Sequence, residues 1–373
     1  MTLLYFICLG IIGVYVLLIF SFVVGFDLLK INHQTSEKKT HFSIIIPFRN
    51  EAEFLPELLN SITKLNYPKN TFEILFVDDD SSDNSVSILN KFCTVNPQIN
   101  IQLIPNNRIS NSPKKDAITA AINLAQHQWI ICTDADCILP NQWLETYSNF
   151  IESFNPNMVV APVNFVSKSS FLAQFQTIDF YSMQGTTIGS FGMQYPIMAN
   201  GANLAYKKEV FNQLNGFENN NFITSGDDVF LLENFLNHNP KKVLFLKDYA
   251  ACVSTYPVKT WNTLIQQRKR WAAKATHFSN TYTQLIGLLV FITNGICILA
   301  LFAAFFNPRY IWLFCLKFII DTVLIFKTVG FFQQKINVFS YLKTLLFYPF
   351  FTFYIAAISM FGSFLWKDRA FKK

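Results

Sequence analysis

Hydrophobic and polar positions follow three rhythms along this chain. From Thr2 to Phe26 no charged side chain appears, a stretch long enough to cross the ~30 Å hydrocarbon core of a bilayer as a helix. From Phe42 short apolar runs alternate with segments whose apolar residues recur at helical spacing. Phe42 to Pro47, Phe72 to Val77, Ile101 to Ile104 and Trp129 to Cys132 read as buried strands, the first stopped by its proline. Leu55, Leu58, Leu59, Ile62 and Leu65, then Val86, Leu89 and Phe92, then Ala117 to Ala125 read as the intervening helices. This alternation, through at least four parallel units, predicts an α/β fold of nucleotide-binding topology, with ligands at the carboxyl ends of the strands.

The third rhythm is again that of a membrane. Leu285 to Phe306 and Leu345 to Trp366 predict spanning helices, and Tyr310 to Phe332 predicts another, interrupted by Lys317, Asp321 and Lys327. Lys317 and Asp321 stand at i,i+4, where they neutralise each other. The expected organisation is an N-terminal anchor over 1–27, an α/β domain over 41–275 and a C-terminal transmembrane region of two to four segments over 284–367. Between Phe165 and Met198, aromatic and small residues read as an amphipathic acceptor-side element at the membrane surface, or alternatively as a packed core helix. Gly185, Gly189 and Gly192 in this segment lack the spacing of a phosphate-binding loop.

Composition agrees with membrane insertion. Over 373 residues the mean hydropathy is +0.27, too apolar for a purely soluble chain. The formal charge of +6 comes without a long basic block, and no helix-turn-helix or zinc-finger pattern is present, so nucleic acid is not an expected partner. Seven scattered cysteines without C-x-x-C pairs argue for a reducing compartment and against disulfides or a zinc site. No basic region precedes the first apolar stretch and no small-residue cleavage pattern follows it, so it is expected to remain as an anchor. Lys30, Lys38 and Lys39 follow directly, which places the α/β domain on the cytoplasmic face of a bacterial-type membrane. Two or four C-terminal spans keep the basic tail inside; three put it outside.

The candidate chemistry lies at the predicted strand ends. Trp129 to Cys132 runs into Thr133-Asp134-Ala135-Asp136, and Phe72 to Val77 into Asp78-Asp79-Asp80-Ser81-Ser82-Asp83. A hard divalent cation that keeps several waters needs only one or two carboxylates plus substrate phosphates, so a D-x-D pair suits a metal–diphosphate site. Helix capping explains one or two acids of the second cluster but not four in six residues.

These motifs stand in a fixed order that resembles family 2 glycosyltransferases of the GT-A fold. Ile46-Pro47-Phe48-Arg49-Asn50-Glu51 is similar to the family's I-P-x-x-N-E opening, Val77 to Asp83 to V-D-D-x-S-x-D, Lys114 with Ala117 and Ile118 to K-x-x-A-L, and Asp134-Ala135-Asp136 to D-x-D. Further on, Gly201 to Asn203 and Gly216-Phe217 resemble the acceptor-side G-x-N and G-F elements. Gly226-Asp227-Asp228 stands where the family has E-D, and Gln267 to Trp271 resembles Q-x-x-R-W. The resemblance covers about Phe42 to Trp271. It implies a Rossmann-like nucleotide-sugar-binding domain flanked by transmembrane helices, and inverting transfer from a nucleotide-sugar donor, UDP-linked by expectation, to a lipid or glycan acceptor at the membrane.

On that basis Pro47, Arg49, Glu51, Asp79, Lys114 and Asp134 are expected to hold the nucleotide, with Glu51 and Asp79 accepting hydrogen bonds from base and ribose. Asp136, with Asp134, is expected to ligate Mg²⁺ or Mn²⁺. Asp228 is the expected base and Asp227 its alternative, this chain having Asp where the family has Glu; acids also favour helix starts. Gln267, Arg270 and Trp271, with Asn203, are expected at the diphosphate and acceptor, Arg270 as a bidentate fork and Trp271 as a stacking surface. A basic interfacial helix with Trp261 and Trp271 is the plainer reading of the same stretch. The expected product is one added sugar or a short extension; a processive polysaccharide synthase and a non-catalytic nucleotide-sugar-binding subunit are the alternatives.

Overall fold

The structure, a computed structural model, describes residues 2–31, 34–223, 225–275, 280–359, 364–367 and 369–371. In chain order its elements are α1 (Thr2–Leu28), β1 (Phe42–Phe48), α2 (Leu55–Thr63), β2 (Phe72–Asp78), α3 (Ser85–Val95), β3 (Asn100–Pro105), α4 (Pro113–Leu124), β4 (Trp129–Cys132), α5 (Trp143–Phe154), β5 (Met158–Val160), β6 (Val163–Phe165) and α6 (Phe171–Gly192). There follow β7 (Leu204–Lys207), α7 (Lys208–Gln213), α8 (Val229–His238), β8 (Val243–Phe245), β9 (Val253–Thr255), α9 (Trp261–Ala275), α10 (Thr281–Ala303), α11 (Ile311–Phe331), α12 (Val338–Ser359), β10 (Phe364–Trp366) and β11 (Arg369–Phe371). They form two compact units. Lys30–Val166 and Met198–Tyr256 make a sheet unit; Met1–Leu29, Ser167–Ile197 and Pro257–Lys373 make a helical unit. The stretch 41–275, expected as one domain, therefore contributes to both.

The sheet unit is built on seven strands in the order β3-β2-β1-β4-β7-β5-β8. The first four are parallel, β1 lying between β2 and β4. The near-continuous apolar content of β1, β2 and β4 reflects burial on both faces, as a sheet covered by crossover helices requires, whereas β3, expected as a buried strand, lies at the sheet edge and is mostly half-buried. β7 is antiparallel to both β4 and β5, and β5 pairs parallel with β8. Parallel pairing puts the carboxyl ends of β1, β2 and β4 side by side. β7 begins opposite Cys132, so residues 200–203 arrive at the same edge. Asn50 and Asp80, just beyond β1 and β2, have φ of 51° and 63°, left-handed values that Asn and Asp tolerate best among non-glycine residues. The two turns are tied together: Ser82 N donates to Asn50 Oδ1 at 2.9 Å and Asn50 N to Ser81 Oγ at 3.1 Å.

In the helical unit α6 packs against α1, α11 and α12 and is buried over much of its length, so the packed-core alternative describes it. Glycine makes this possible. A Cβ at Gly189 would lie 2.3 Å from Phe22 O, and one at Gly192 1.8 Å from Gly25 O, so α1 and α6 touch backbone to backbone. Asp321 on α11 receives Lys317 at 2.5 Å and the Tyr15 hydroxyl of α1 at 2.7 Å, which satisfies a largely buried ion pair within the unit.

Among the described residues three helices, and not α11, are long and apolar enough to cross a membrane, Leu3–Leu28, Thr281–Ala303 and Val338–Ser359. The last corrects the expected Leu345–Trp366 span. Asn337 caps the helix start by accepting from Ser340 N at 3.1 Å, seven residues ahead of the expected start at Leu345. Beyond residues 360–363, which lie outside the described set, β10 and β11 form a short antiparallel pair. The apolar stretch read from the sequence begins at Leu345, after the polar Ser340, Lys343 and Thr344 of the helix's first turns.

Candidate active site

The site is assembled at the strand ends of the sheet unit, and its centre is Lys114. Pro113 opens α4, its fixed φ suiting a first helical turn, and the two lysines that follow point to different partners. Lys114 Nζ lies 2.7 Å from Asp134 Oδ1 and 3.0 Å from Asp227 Oδ2. Burial alone would pull its pKa down, but the two carboxylates outweigh that and hold it well above the ordinary lysine value. One ammonium thus joins the D-x-D segment after β4 to the Gly226-Asp227-Asp228 segment before α8, 93 positions apart. Gly201 completes the junction: a Cβ there would lie 2.8 Å from Asp227 Oδ2 and 3.4 Å from Lys114 Nζ.

Lys115, to which the sequence did not point, braces the candidate site. It is fully buried, and its Nζ donates to Asn220 O at 2.6 Å, Asn220 Oδ1 at 2.9 Å and Ile223 O at 3.1 Å. The rings of Phe217 and Phe230 flank the same ammonium. It therefore ties α4 to the loop that leads into Asp227 and Asp228. Nothing in an adjacent pair of lysines says that one faces a site and the other a loop; only the helix's placement does.

At the other end of the strand edge, Asp79 is almost buried, its Oδ1 accepting Asn106 Nδ2 at 2.8 Å and Arg108 Nε at 2.5 Å. Arg49 Nη1 donates to Asp79 O at 2.7 Å and to Asp80 O, so it braces the turn after β2. Arg108 was likewise not singled out from the sequence, because its loop carries no motif. Two buried polar atoms here, Arg49 Nε and Asn106 Oδ1, have no hydrogen-bond partner among the described residues. Glu51 is buried, its backbone N–H donating to Ser85 Oγ at 2.8 Å. Pro47 lies within β1, opposite Val77.

Asp136 is half-buried, with Cys137 Sγ 3.8 Å from its Oδ1. Among the described residues no group of three or more His, Cys, Asp or Glu stands together as a ready-made metal cage. The donor set is instead a pair of carboxylates one residue apart, which fits a hard cation drawing its other ligands from phosphate and water. Asp228 caps α8, its Oδ1 accepting from Val229 N at 2.7 Å.

One expectation is overturned. Asn203, expected to face an acceptor, is completely buried. Its Oδ1 accepts Trp143 Nε1 at 2.9 Å and the Tyr147 hydroxyl at 3.0 Å, and its Nδ2 donates to Pro162 O and Ala251 O, both at 2.8 Å. All its hydrogen-bonding capacity is used in joining α5, the β5–β6 link and the segment before β9, so none remains for a ligand. Gln267, Arg270 and Trp271 lie half-buried on α9 of the helical unit.

Residues 43–214 match the family described as Glycosyl transferase family 2, and residues 129–366 the one described as Glycosyl transferase family group 2. Glycosyltransferase AglE of Haloferax volcanii is 25% identical over 228 residues, 61% of this chain and 70% of that protein. The poly-beta-1,6-N-acetyl-D-glucosamine synthase of Staphylococcus epidermidis is 27% identical over 254 residues, 66% of this chain and 56% of the synthase. The poly(ribitol-phosphate) beta-N-acetylglucosaminyltransferase TarS of Staphylococcus aureus is 28% identical over 119 residues, 32% of this chain. The chain thus spans a little over half of the synthase and 20% of TarS. Among solved structures, mannosyltransferase PcManGT from Pyrobaculum calidifontis, in complex with GDP-Man and Mn²⁺, aligns with a TM-score of 0.57 at 16% identity, over 86% of this chain and 95% of that one. At that identity the likeness speaks for the fold.

Proposed function

The chain belongs to the family 2 glycosyltransferases and has their GT-A fold, and on that premise we propose that it moves a sugar from a nucleotide-diphosphate donor, UDP-linked by preference, to a lipid or glycan acceptor at the cytoplasmic face of a membrane. The observation that carries this reading is the Lys114 ammonium held between Asp134 and Asp227. A leaving diphosphate needs a cation beside it, which the Asp134–Asp136 carboxylates would hold, and the acceptor hydroxyl needs a carboxylate; Lys114 brings the two carboxylate-bearing segments to the same place.

The nucleoside end falls to Glu51, Asp79, Arg49 and Pro47. Support comes from the two orphaned atoms near Asp79, a donor on Arg49 and an acceptor on Asn106, which a nucleobase or ribose edge would satisfy. Asp136, with Asp134, would hold Mg²⁺ or Mn²⁺. That ion would neutralise the departing diphosphate. Asp228 is the base, taking the acceptor hydroxyl's proton as the oxygen attacks the anomeric carbon from the face opposite the diphosphate, with inversion. Asp227 is the poorer choice because the Lys114 ammonium already occupies its Oδ2. For Gln267, Arg270 and Trp271 the support is their motif: a bidentate guanidinium for diphosphate and a flat indole for an acceptor sugar.

The three apolar helices support membrane anchoring, and Lys30, Lys38 and Lys39 after the first support a cytoplasmic sheet unit. The test is UDP or GDP release from a panel of UDP- and GDP-sugars in membranes with Mg²⁺ or Mn²⁺. Asp228→Asn is expected to abolish transfer with UDP affinity nearly unchanged, and Asp136→Ala to weaken metal-dependent UDP binding. Full turnover by Asp228→Asn would remove it as the base. A processive outcome is favoured by the match to a poly-N-acetylglucosamine synthase over 66% of this chain; long polymer from UDP-N-acetylglucosamine and purified protein would establish it over single-sugar transfer.

A further inference from the structure

α9 packs on α12, and side chains of α6 reach it. Leu264 is fully buried against Phe175 of α6 and Phe351 and Ile355 of α12. At the next residue of α6, the Gln176 amide grips the backbone of Val258 from both sides, accepting from its N–H at 2.9 Å and donating to its carbonyl at 3.0 Å. Three residues further, on the same face of α6, stands Asp179, which is almost wholly buried and whose partner is Arg268.

Arg268 Nε donates to Asp179 Oδ2 at 2.8 Å and Nη1 to Gln267 Oε1 at 2.7 Å, while Nη2 stands 2.7 Å from the same Asp179 Oδ2 as an ion-pair contact without hydrogen-bond geometry. Its flat face lies 4.1 Å from the centroid of the Trp271 ring. Since arginine only donates, the carbonyl end of Gln267 must be the end that faces it, which leaves the amide nitrogen as the end that points elsewhere. One buried cation thus sets the orientation of a side chain before it and a side chain three residues after it. These are the first and last residues of the Q-x-x-R-W segment, while Arg268 itself is one of its unspecified positions.

We propose that Asp179 and Arg268 are a positioning pair that presents Gln267 as a hydrogen-bond donor and Trp271 as a fixed aromatic face, and that acceptor binding depends on it. The inference rests on the transferase reading for its functional half only. Asp179 anchors the guanidinium in a low-dielectric setting, where an ion pair is directional and its partner cannot be given up to water. A lysine at 268 keeps the charge for Asp179 but has neither the planar fork for Gln267 nor the face for Trp271.

The full-length protein in detergent is tested as Arg268→Lys and Asp179→Asn. UDP release from UDP-N-acetylglucosamine is followed with and without added chitotetraose. In parallel, acrylamide quenching of the Trp271 emission is obtained by difference against Trp271→Phe. Both variants are expected to raise the acceptor KM about ten-fold, with the donor KM within about two-fold of the parent, and to make the Trp271 emission more quenchable. A merely structural pair would lower kcat with the active fraction and leave the two KM values alone. Unchanged Trp271 quenching in both variants, or donor and acceptor KM moving together, overturns the inference. If the parent releases UDP from no donor, the transferase reading fails on its own, and the quenching comparison still decides whether the pair positions Trp271.

Discussion

Replacing Asn203 tests whether this residue is a framework element or a ligand contact. In Asn203→Ala, Trp143 Nε1 and the Tyr147 hydroxyl lose their acceptor, and the Pro162 and Ala251 carbonyls lose their donor. Trp143 and Tyr147 are fully buried, so water does not replace the missing group. A buried donor left unpaired costs about 1–3 kcal/mol, and carbonyls with a second lone pair less. Two donors, with a smaller contribution from the carbonyls and some relief from no longer burying the amide, come to about 3–5 kcal/mol. Against a total of about 5–15 kcal/mol that is a large share. At about 2–4 °C per kcal/mol for a unit of this size, the sheet unit should melt roughly 6–20 °C lower, followed by intrinsic tryptophan fluorescence in detergent. Asn203→Asp adds a signed check. Ionised, it still accepts from Trp143 and Tyr147 but turns negative oxygens toward two carbonyls, and burial raises its pKa. Its stability should therefore recover as pH falls through that raised value and the protonated acid regains one donor, whereas the alanine variant's deficit stays constant. If Asn203→Ala melts within about 1 °C of the parent while raising the acceptor KM, Asn203 is a ligand contact and the assignment made here is wrong.

Two further outcomes follow from other parts of the molecule. Because Asp134 and Asp227 hold the Lys114 pKa well above its ordinary value, its contribution to stability is complete below about pH 10.4, the unfolded value, and is lost only as pH rises through the higher folded one. Amine acylation at pH 9 should spare Lys114 while exposed Lys91 and Lys259 react; equal labelling by peptide mapping would show that the bridge does not form. Gly189→Leu should destabilise the helical unit by at least the ~1–3 kcal/mol of an overpacked core, since even its Cβ would lie 2.3 Å from Phe22 O, whereas Gly10→Leu, with nothing within 4 Å, should not. Equal melting of the two variants would mean that α1 and α6 do not cross at that point.

An unbroken uncharged run was enough to place α1, and short apolar runs alternating with apolar residues at helical spacing were enough to place the first four strands and the helices between them, because these patterns are written locally. Order along the chain was also enough to bring Glu51, Asp79 and Asp134 to one edge: each stands just after a strand, and parallel strands end together. What folding alone decided are the partnerships across long separations. Lys114 meets Asp227, Lys115 meets Asn220, and Arg108 meets Asp79, and no periodicity encodes which carboxylate a cation reaches. Asn203 and Arg268 show the same divide from opposite sides. The first belongs to a motif and is sealed into the framework, while the second fills an unspecified position and holds a motif's two ends. A polar side chain's role depends on the atoms that replace its water, and those atoms come from distant segments that only the closed fold brings together.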